Sequence, residues 1–229
     1  MYDYGEACPV SMATTVLCER WTLQIVREMF LGCTRYSEIQ KYIPNISPSL
    51  LRNRLRFLEE QGVIMRKAAA GQGRYEYFLT PAGKALGPVL TELGRWGMRH
   101  ANAGMTGKQN TASGLMRDLA GAIRTDELPS GNTVIQINLS DVEGKEKRFI
   151  NIREGVAQDC AQDLGFEVDV YLTSDLKTMT RIWYGELGIP RAIEEGSLKL
   201  VGSPNLVNSV SRWLGISGFT TGDGRFEAP

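Results

Sequence analysis

The fold is decided by residues 47–79, which read SPSLLRNRLRFLEEQGVIMRKAAAGQGRYEYFL. Ser47 followed by Pro48 is typical of a helix start, because serine can accept a hydrogen bond from the first turn and proline at the first helical position loses no hydrogen bond. Gly62 predicts the end of that helix. Two short strands joined by a glycine-rich turn are predicted next: Val63–Ala69 and Arg74–Leu79.

On a helical wheel, residues 49–62 separate into two sides. The apolar side is formed by Leu51, Leu55 and Leu58. The opposite side is polar and basic, and it consists of Ser49, Arg52, Asn53 and Arg56. A helix of this kind can dock its leucines on a core and present arginine and asparagine to base edges in a major groove of DNA. Arg54 falls on the apolar side, where we expect it to extend toward solvent or contact a backbone phosphate.

Several further residues are candidates for contacts with DNA phosphates. The two strands contribute Arg66, Lys67 and Arg74, and the start of a preceding short helix contributes Arg35 and Tyr36. Ser47, at the cap of the basic helix, is a further DNA-binding candidate. The alternative is that all these charges form a solvated surface. The order of turn, basic helix and strand pair favours DNA binding over that alternative.

The surrounding sequence predicts additional helices. Apolar residues at i+4 spacing predict one helix over residues 11–30. Other helices are predicted at Tyr36–Tyr42, before Pro44, and from Thr80 onward, with a break at Gly87-Pro88 and a restart that continues to residue 99.

The net charge of the 229-residue chain is zero, but the charge is unevenly distributed. Residues 1–107 contain 13 lysines and arginines against 9 acidic residues (+4), whereas residues 108–229 contain 13 against 17 (−4). A basic first half suits a module that binds a polyanion. The length and the small, polar segment 101–114 predict two domains, 1–107 and 108–229.

In the second half of the chain, apolar residues recur at every second position. Alternating apolar residues predict antiparallel strands around Ile135, Ile150 and Val170, with a short strand at Leu198–Val201. Helices are predicted around residues 115–123, 175–184 and 204–214. The predicted fold class is therefore α+β, with an N-terminal winged helix-turn-helix domain and a C-terminal antiparallel sheet covered by helices.

Composition excludes several kinds of site. The four cysteines form no Cys-x-x-Cys pair and the chain has a single histidine, so we predict no metal site and no cofactor. No nucleophile elbow or phosphate loop is present, and we expect no enzyme activity. Without a signal peptide or a membrane-length apolar run, the expected location is cytoplasmic, with no membrane partner.

The first half resembles the HxlR family of winged-helix bacterial regulators, which are relatives of the MarR group. The resemblance covers about residues 7–100 and depends on motifs that occur in order: Cys8-Pro9-Val10, Glu19-Arg20-Trp21, Gly32-x-x-Arg35-Tyr36-Ser37-Glu38, Ile46-Ser47, Leu55-Arg56-x-Leu58-Glu59, Gly62-Val63-Ile64 and Tyr77-x-Leu79-Thr80-x-x-Gly83. It implies a homodimer on an inverted repeat of double-stranded DNA, with residues 11–20 and 88–100 paired across the two-fold axis. The family often has small residues where Cys18 and Glu19 stand.

By the same resemblance, Cys8 is a candidate sensor. Family members that respond to quinones, aldehydes or oxidants use a cysteine in a similar Cys-Pro position, and a thiol near a helix N-terminus has its thiolate favoured. The effector would then be thiol-reactive. The alternative is an unreactive small residue at the dimer interface.

Residues 112–215 resemble the sterol carrier protein type 2 fold, on the motifs Asp169–Asp175, Arg181–Leu187 and Ile193–Gly202. The resemblance implies an apolar tunnel for a small apolar effector, for which Phe149, Trp183 and Trp213 are candidate lining residues. The alternative is that each of these three residues is an ordinary part of the hydrophobic core.

Two functions remain open at this stage. The first is a DNA-binding transcriptional regulator that responds to a thiol-reactive or apolar effector. The second is a carrier of lipids or other apolar ligands with no specific operator, which the basic polar side of the 49–62 helix argues against.

Overall fold

The computed structural model describes residues 5–68, 75–101, 111–142, 147–160 and 165–221. The chain divides into two compact units, the first reaching Arg95 and the second beginning at Trp96. Each unit has its own hydrophobic core. The predicted domain boundary after residue 107 lies outside the described residues.

The first unit consists of helices followed by a two-stranded antiparallel sheet and two further helices. Its elements are α1 (Pro9–Leu17), α2 (Thr22–Phe30), α3 (Tyr36–Tyr42), α4 (Pro48–Glu60), β1 (Ile64–Ala68), β2 (Tyr75–Leu79), α5 (Pro81–Lys84) and the larger part of α6 (Gly87–His100), whose residues from Trp96 onward belong to the second unit. The winged helix-turn-helix prediction is therefore confirmed for this unit, including the Tyr36–Tyr42 helix and the restart at Gly87.

The prediction of one helix over residues 11–30 is wrong. Helix α1 ends at Leu17, and α2 begins only after Trp21, whose φ of 76° lies in the left-handed region. A helix cannot pass through that conformation, so the chain turns between the two helices. The i+4 spacing of apolar residues continues across the break, which is why the periodicity suggested a single helix.

The second unit places a five-stranded sheet in the order β5-β4-β3-β6-β7 among helices. Its strands are β3 (Thr133–Leu139), β4 (Lys147–Arg153), β5 (Val156–Cys160), β6 (Val170–Ser174) and β7 (Lys199–Gly202). Its helices are α7 (Ala112–Ala122), α8 (Leu176–Trp183), α9 (Ile189–Glu194), α10 (Pro204–Asn208), α11 (Val210–Trp213) and α12 (Gly218–Thr221), with a 3₁₀ turn at Thr125–Glu127.

Three features of this unit correct the sequence-based expectation. Strands β3 and β6 are parallel, so the sheet is mixed rather than antiparallel. The predicted last helix is broken at Ser209, which is the C-cap of α10, with φ −103° and ψ 9°, and lies directly before α11. The predicted linker ends early, because α7 already begins at Ala112.

The core of the second unit lies on one face of the sheet, against the helices. Ile135, Ile137, Ile150 and Leu172 belong to this cluster and are almost completely buried. Phe149 is buried too, but it pairs with Gln136 on the opposite face. No helix in the described ranges is long and apolar enough to cross a membrane.

Candidate nucleic-acid interface

Helix α4 is held by its leucines. Leu51, Leu55 and Leu58 are at most 1% exposed and belong to the core of the first unit. At the start of the helix the Ser47 Oγ accepts a hydrogen bond from the Leu50 amide at 3.3 Å, which satisfies one of the free N–H groups of the first turn. The orientation predicted from the helical wheel is therefore confirmed.

The turn before α4 is fixed by two side chains of α3. The Tyr36 hydroxyl donates to the Pro48 carbonyl oxygen at 2.9 Å, and the Gln40 amide donates to the Ile46 carbonyl oxygen at 2.8 Å. These bonds set the angle between the two helices. The structure thus gives Tyr36 a role in positioning α4, in addition to its predicted place near phosphates.

The outward side of α4 is exposed along its length. Ser49, Arg52, Asn53 and Arg56 all lie on this surface. Arg56 donates to the Asn53 Oδ1 at 3.4 Å and lies 3.9 Å from the Glu60 carboxylate. Within the described part of the chain, Arg52 has no hydrogen-bond or ion-pair partner, so its guanidinium is available to a ligand.

The wing formed by β1 and β2 carries its cations beside aromatic rings. Lys67 is exposed, with its ammonium 5.1 Å from the centre of the Phe78 ring. Arg66 lies over the Tyr75 ring and 3.5 Å from the Glu59 carboxylate, so its charge is largely compensated within the protein. Arg74 lies outside the described residues, and its predicted phosphate contact stays a prediction.

Arg35 is placed at the N-terminus of α3, beside the wing. Its backbone bridges to Glu76 of β2, and its Nε lies 3.2 Å from the Glu76 carboxylate. The side chain remains 63% exposed. Arg35 can therefore reach a phosphate only by sharing or leaving Glu76.

Arg54 differs from the expectation. It does not extend toward solvent or DNA: its Nη2 lies 2.6 Å from the Glu19 carboxylate, and its Nε donates to the Arg20 carbonyl oxygen at 3.0 Å. The partner lies 35 residues away in the sequence, and no local pattern could have identified it.

The comparisons with known proteins agree with this geometry. The model of the HxlR-like helix-turn-helix family matches residues 16–105. YvaP of Bacillus subtilis, an uncharacterized HTH-type transcriptional regulator, is 41% identical over 96 residues, which cover 41% of this chain and 89% of YvaP. The chain belongs to the HxlR-like helix-turn-helix family of transcriptional regulators.

Two further comparisons concern the same part of this HxlR-like chain. The HTH-type transcriptional regulator sll1512 of Synechocystis, also uncharacterized, is 32% identical over 97 residues, which cover 42% of this chain and 72% of that protein. The solved structure of YodB, a transcriptional regulator of Bacillus subtilis in its reduced form, is 31% identical, with 43% of this chain and 99% of that chain covered and a TM-score of 0.38.

The predicted sensor residue of this HxlR-like protein lies at the N-cap of α1. Cys8 is half-buried, and the backbone N–H groups of Ser11 and Val10, followed by the Ser11 hydroxyl, lower the pKa of its thiol. These donors stabilise the thiolate, which is the nucleophilic form. These contacts favour the thiolate form of Cys8, and its role as a sensor stays a prediction.

The three candidate pocket residues do not come together. Trp213 is fully buried and donates from Nε1 to the Leu206 carbonyl oxygen at 2.8 Å, as a core residue does. Trp183 packs against the same core with its ring edge-on to Tyr184, whereas Phe149 lies on the other face of the sheet. A cleft of about 550 Å³ between the 3₁₀ turn and the β4–β5 hairpin is lined by other residues, among them Leu128 and Arg153.

Proposed function

We propose that this HxlR-like regulator binds double-stranded DNA as a homodimer on an inverted-repeat operator. The observation that carries the proposal is the exposed polar side of α4, where Arg52, Asn53 and Arg56 point away from a fully buried leucine face. Arginine can bind the guanine O6 and N7 atoms in a bidentate manner, and asparagine can do the same with adenine N6 and N7. Lys67 and Arg35 lie on the wing side of α4, where they can contact phosphates.

The dimer is supported by apolar surface that the single chain leaves uncovered. Helix α1 has no buried residue, and its Val10 and Met12 are 69% and 63% exposed. Helix α6 presents a stripe at i, i+4 and i+7, formed by Val89, Leu93 and Trp96, which are 47%, 47% and 58% exposed. Apolar surface of this kind on two helices is typical of an interface.

Selection of binding sites from random duplexes with the purified full chain tests the DNA proposal. We expect an enriched inverted repeat, and an affinity for it at least about 1,000-fold above that for random duplex at physiological salt. Equal affinity for both duplexes, together with tight binding of a fluorescent fatty acyl probe, would instead support the carrier alternative.

Sedimentation equilibrium tests the dimer. Leu93→Asp should shift the chain toward monomer, because it places a charge in the proposed interface. Leu31→Asp is a matched control, since Leu31 is 45% exposed but lies outside α1 and α6. A Leu93→Asp chain that stays dimeric would contradict the assignment of α6 to the interface.

We also propose that a thiol-reactive effector acts through Cys8. Treatment with diamide, which oxidises thiols, should release wild-type protein from its operator, and Cys8→Ser should prevent the release. Cys18→Ser serves as the control, because Cys18 is the more exposed cysteine at the other end of α1. Equal release of the Cys8→Ser protein would show that another residue responds.

For the second unit we propose a sterol-carrier-like module that binds a small apolar compound. Two buried polar atoms support this, the Trp183 Nε1 and the Ser217 Oγ, neither of which has a hydrogen-bond partner among the described residues. The two residues are neighbours through their backbones, since the Ser217 amide donates to the Trp183 carbonyl oxygen at 2.7 Å. An apolar site with a few such polar anchors suits a ligand that carries one acceptor group.

Native mass spectrometry of the purified chain tests this second proposal. We expect a co-purified apolar compound, whose occupancy falls in Trp183→Phe because that change removes the N–H group and keeps most of the ring. An unchanged occupancy in the variant would exclude this anchor, and wild-type protein free of any compound that also fails to bind a fluorescent fatty acyl probe would refute the module's proposed role.

A further inference from the structure

The recognition helix α4 has one polar attachment to the α1–α2 turn that differs from its other ion pairs. Arg54 makes two contacts with that turn, to the Glu19 carboxylate at 2.6 Å and to the Arg20 carbonyl oxygen at 3.0 Å. The Arg54 and Glu19 side chains are only 18% and 31% exposed. By contrast, Arg56 and Glu60 on the same helix lie 3.9 Å apart and are 71% and 62% exposed.

The α1–α2 turn that Arg54 contacts has a strained backbone. Trp21 has a φ of 76°, a conformation that a bulky side chain rarely adopts and that persists only when surrounding contacts hold it. The Arg20 guanidinium lies 4.9 Å from the centre of the Trp21 ring, and Trp21 packs against the core. Arg54 therefore contacts both of the residues that precede Trp21, through the Glu19 carboxylate and the Arg20 carbonyl oxygen.

We propose that Arg54 and Glu19 are positioning residues that fix the angle between α1 and α4, and that they thereby set the half-site spacing that the dimer accepts. This inference rests on the proposed homodimer, in which α1 lies at the two-fold axis and α4 enters the major groove.

The geometry makes spacing sensitive to this angle. Helix α4 has 13 residues and is therefore about 20 Å long. A tilt of about 10° moves its far end by roughly 3.4 Å, which is the rise of one base pair. A firm α1–α4 angle should therefore restrict the dimer to one spacer length, and a loosened angle should admit neighbouring lengths.

Binding to three versions of the selected operator tests the inference, with the spacer as selected or changed by one base pair in either direction. We expect the wild-type chain to lose at least about tenfold in affinity on either altered spacer, which corresponds to about 1.4 kcal/mol. Glu19→Ala should reduce that loss to about twofold. Glu60→Ala, which removes the exposed pair on the same helix, should change the affinity for all three operators by the same factor and so keep the wild-type dependence on spacer length.

A second variant separates positioning from a loss of stability. Arg54→Lys keeps the charge but cannot reproduce both contacts, so we expect an intermediate spacer profile from a chain that unfolds at nearly the wild-type temperature. A spacer profile of Glu19→Ala or Arg54→Lys equal to that of Glu60→Ala would overturn the inference while leaving the homodimer proposal intact. A wild-type chain that binds all three spacers equally would also overturn the inference, whereas a chain that sediments as a monomer would refute the homodimer proposal itself.

Discussion

Replacement of Arg52 by alanine gives the sharpest test of the interface. Arg52 is exposed and, in the described ranges, has neither a hydrogen bond nor an ion pair, so the change should leave the free energy of unfolding within about 0.5 kcal/mol of wild type. Any loss of affinity for the operator is then due to a lost contact with DNA and not to a loss of protein stability. A bidentate contact with guanine is worth about 1–3 kcal/mol of discrimination, which corresponds to about a 5- to 150-fold loss on the operator.

The assay is fluorescence anisotropy with the selected operator and with a series in which each base pair is changed singly. The Arg52→Ala protein should lose discrimination at one base pair per half-site and keep it elsewhere. Its salt slope should stay close to that of the wild type, because a base contact releases no counterions. Arg191→Ala is the control, since it removes an exposed, ion-paired arginine from the second unit.

Two results would refute the reasoning. An equal loss on the operator and on random duplex, with a salt slope reduced by about one, would show that Arg52 contacts a phosphate. An unchanged affinity for both would show that the outward side of α4 does not face DNA.

Three further predictions follow from particular contacts. The rate at which iodoacetamide alkylates Cys8 should rise with a midpoint pH below that of N-acetylcysteine, because the lowered pKa of the Cys8 thiol gives thiolate at lower pH; an equal or higher midpoint would contradict this. Asp159→Asn should reduce the free energy of unfolding by about 3–5 kcal/mol in urea titrations, since it leaves the buried guanidinium of Arg148 without its carboxylate at 2.9 Å. Glu76→Gln should raise affinity for random duplex by about two- to fivefold, because it frees the exposed guanidinium of Arg35, and an unchanged affinity would exclude Arg35 from DNA contact.

The parts of the fold that were predictable are those with local causes. Ser47, Pro48 and Gly62 mark the ends of α4 through backbone chemistry that acts within one turn. The i+3 and i+4 spacing of the leucines determines which side of that helix is buried. The exposed side of the candidate interface could therefore be predicted from these residues alone.

The features that sequence reasoning missed have causes far along the chain. The left-handed backbone at Trp21 occurs at a residue other than glycine, so the sequence gives no sign of it. Arg54 forms its ion pair with a residue 35 positions away in the sequence. Alternation of apolar residues predicts a strand but carries no information about its direction, so the parallel pairing of β3 with β6 could not be predicted. Phe149 is buried on the second face of the sheet because of tertiary contacts, and the alternation of apolar residues along β4 could not predict this burial.

The pairing of charges explains how a chain with no net charge can have a DNA interface. Around α4 and the wing, four arginines lie within 4 Å of glutamates in the described structure: Arg35 with Glu76, Arg54 with Glu19, Arg56 with Glu60, and Arg66 with Glu59. Each glutamate reduces the attraction between its arginine and DNA phosphates. This attraction supplies most of the non-specific binding of a protein to DNA. The side chains that we propose to read bases lose less affinity, since hydrogen bonding to a base edge depends on geometry more than on net charge. Such an interface lowers affinity for random DNA more than for an operator, and it thereby raises the ratio of specific to non-specific binding on which a regulator depends.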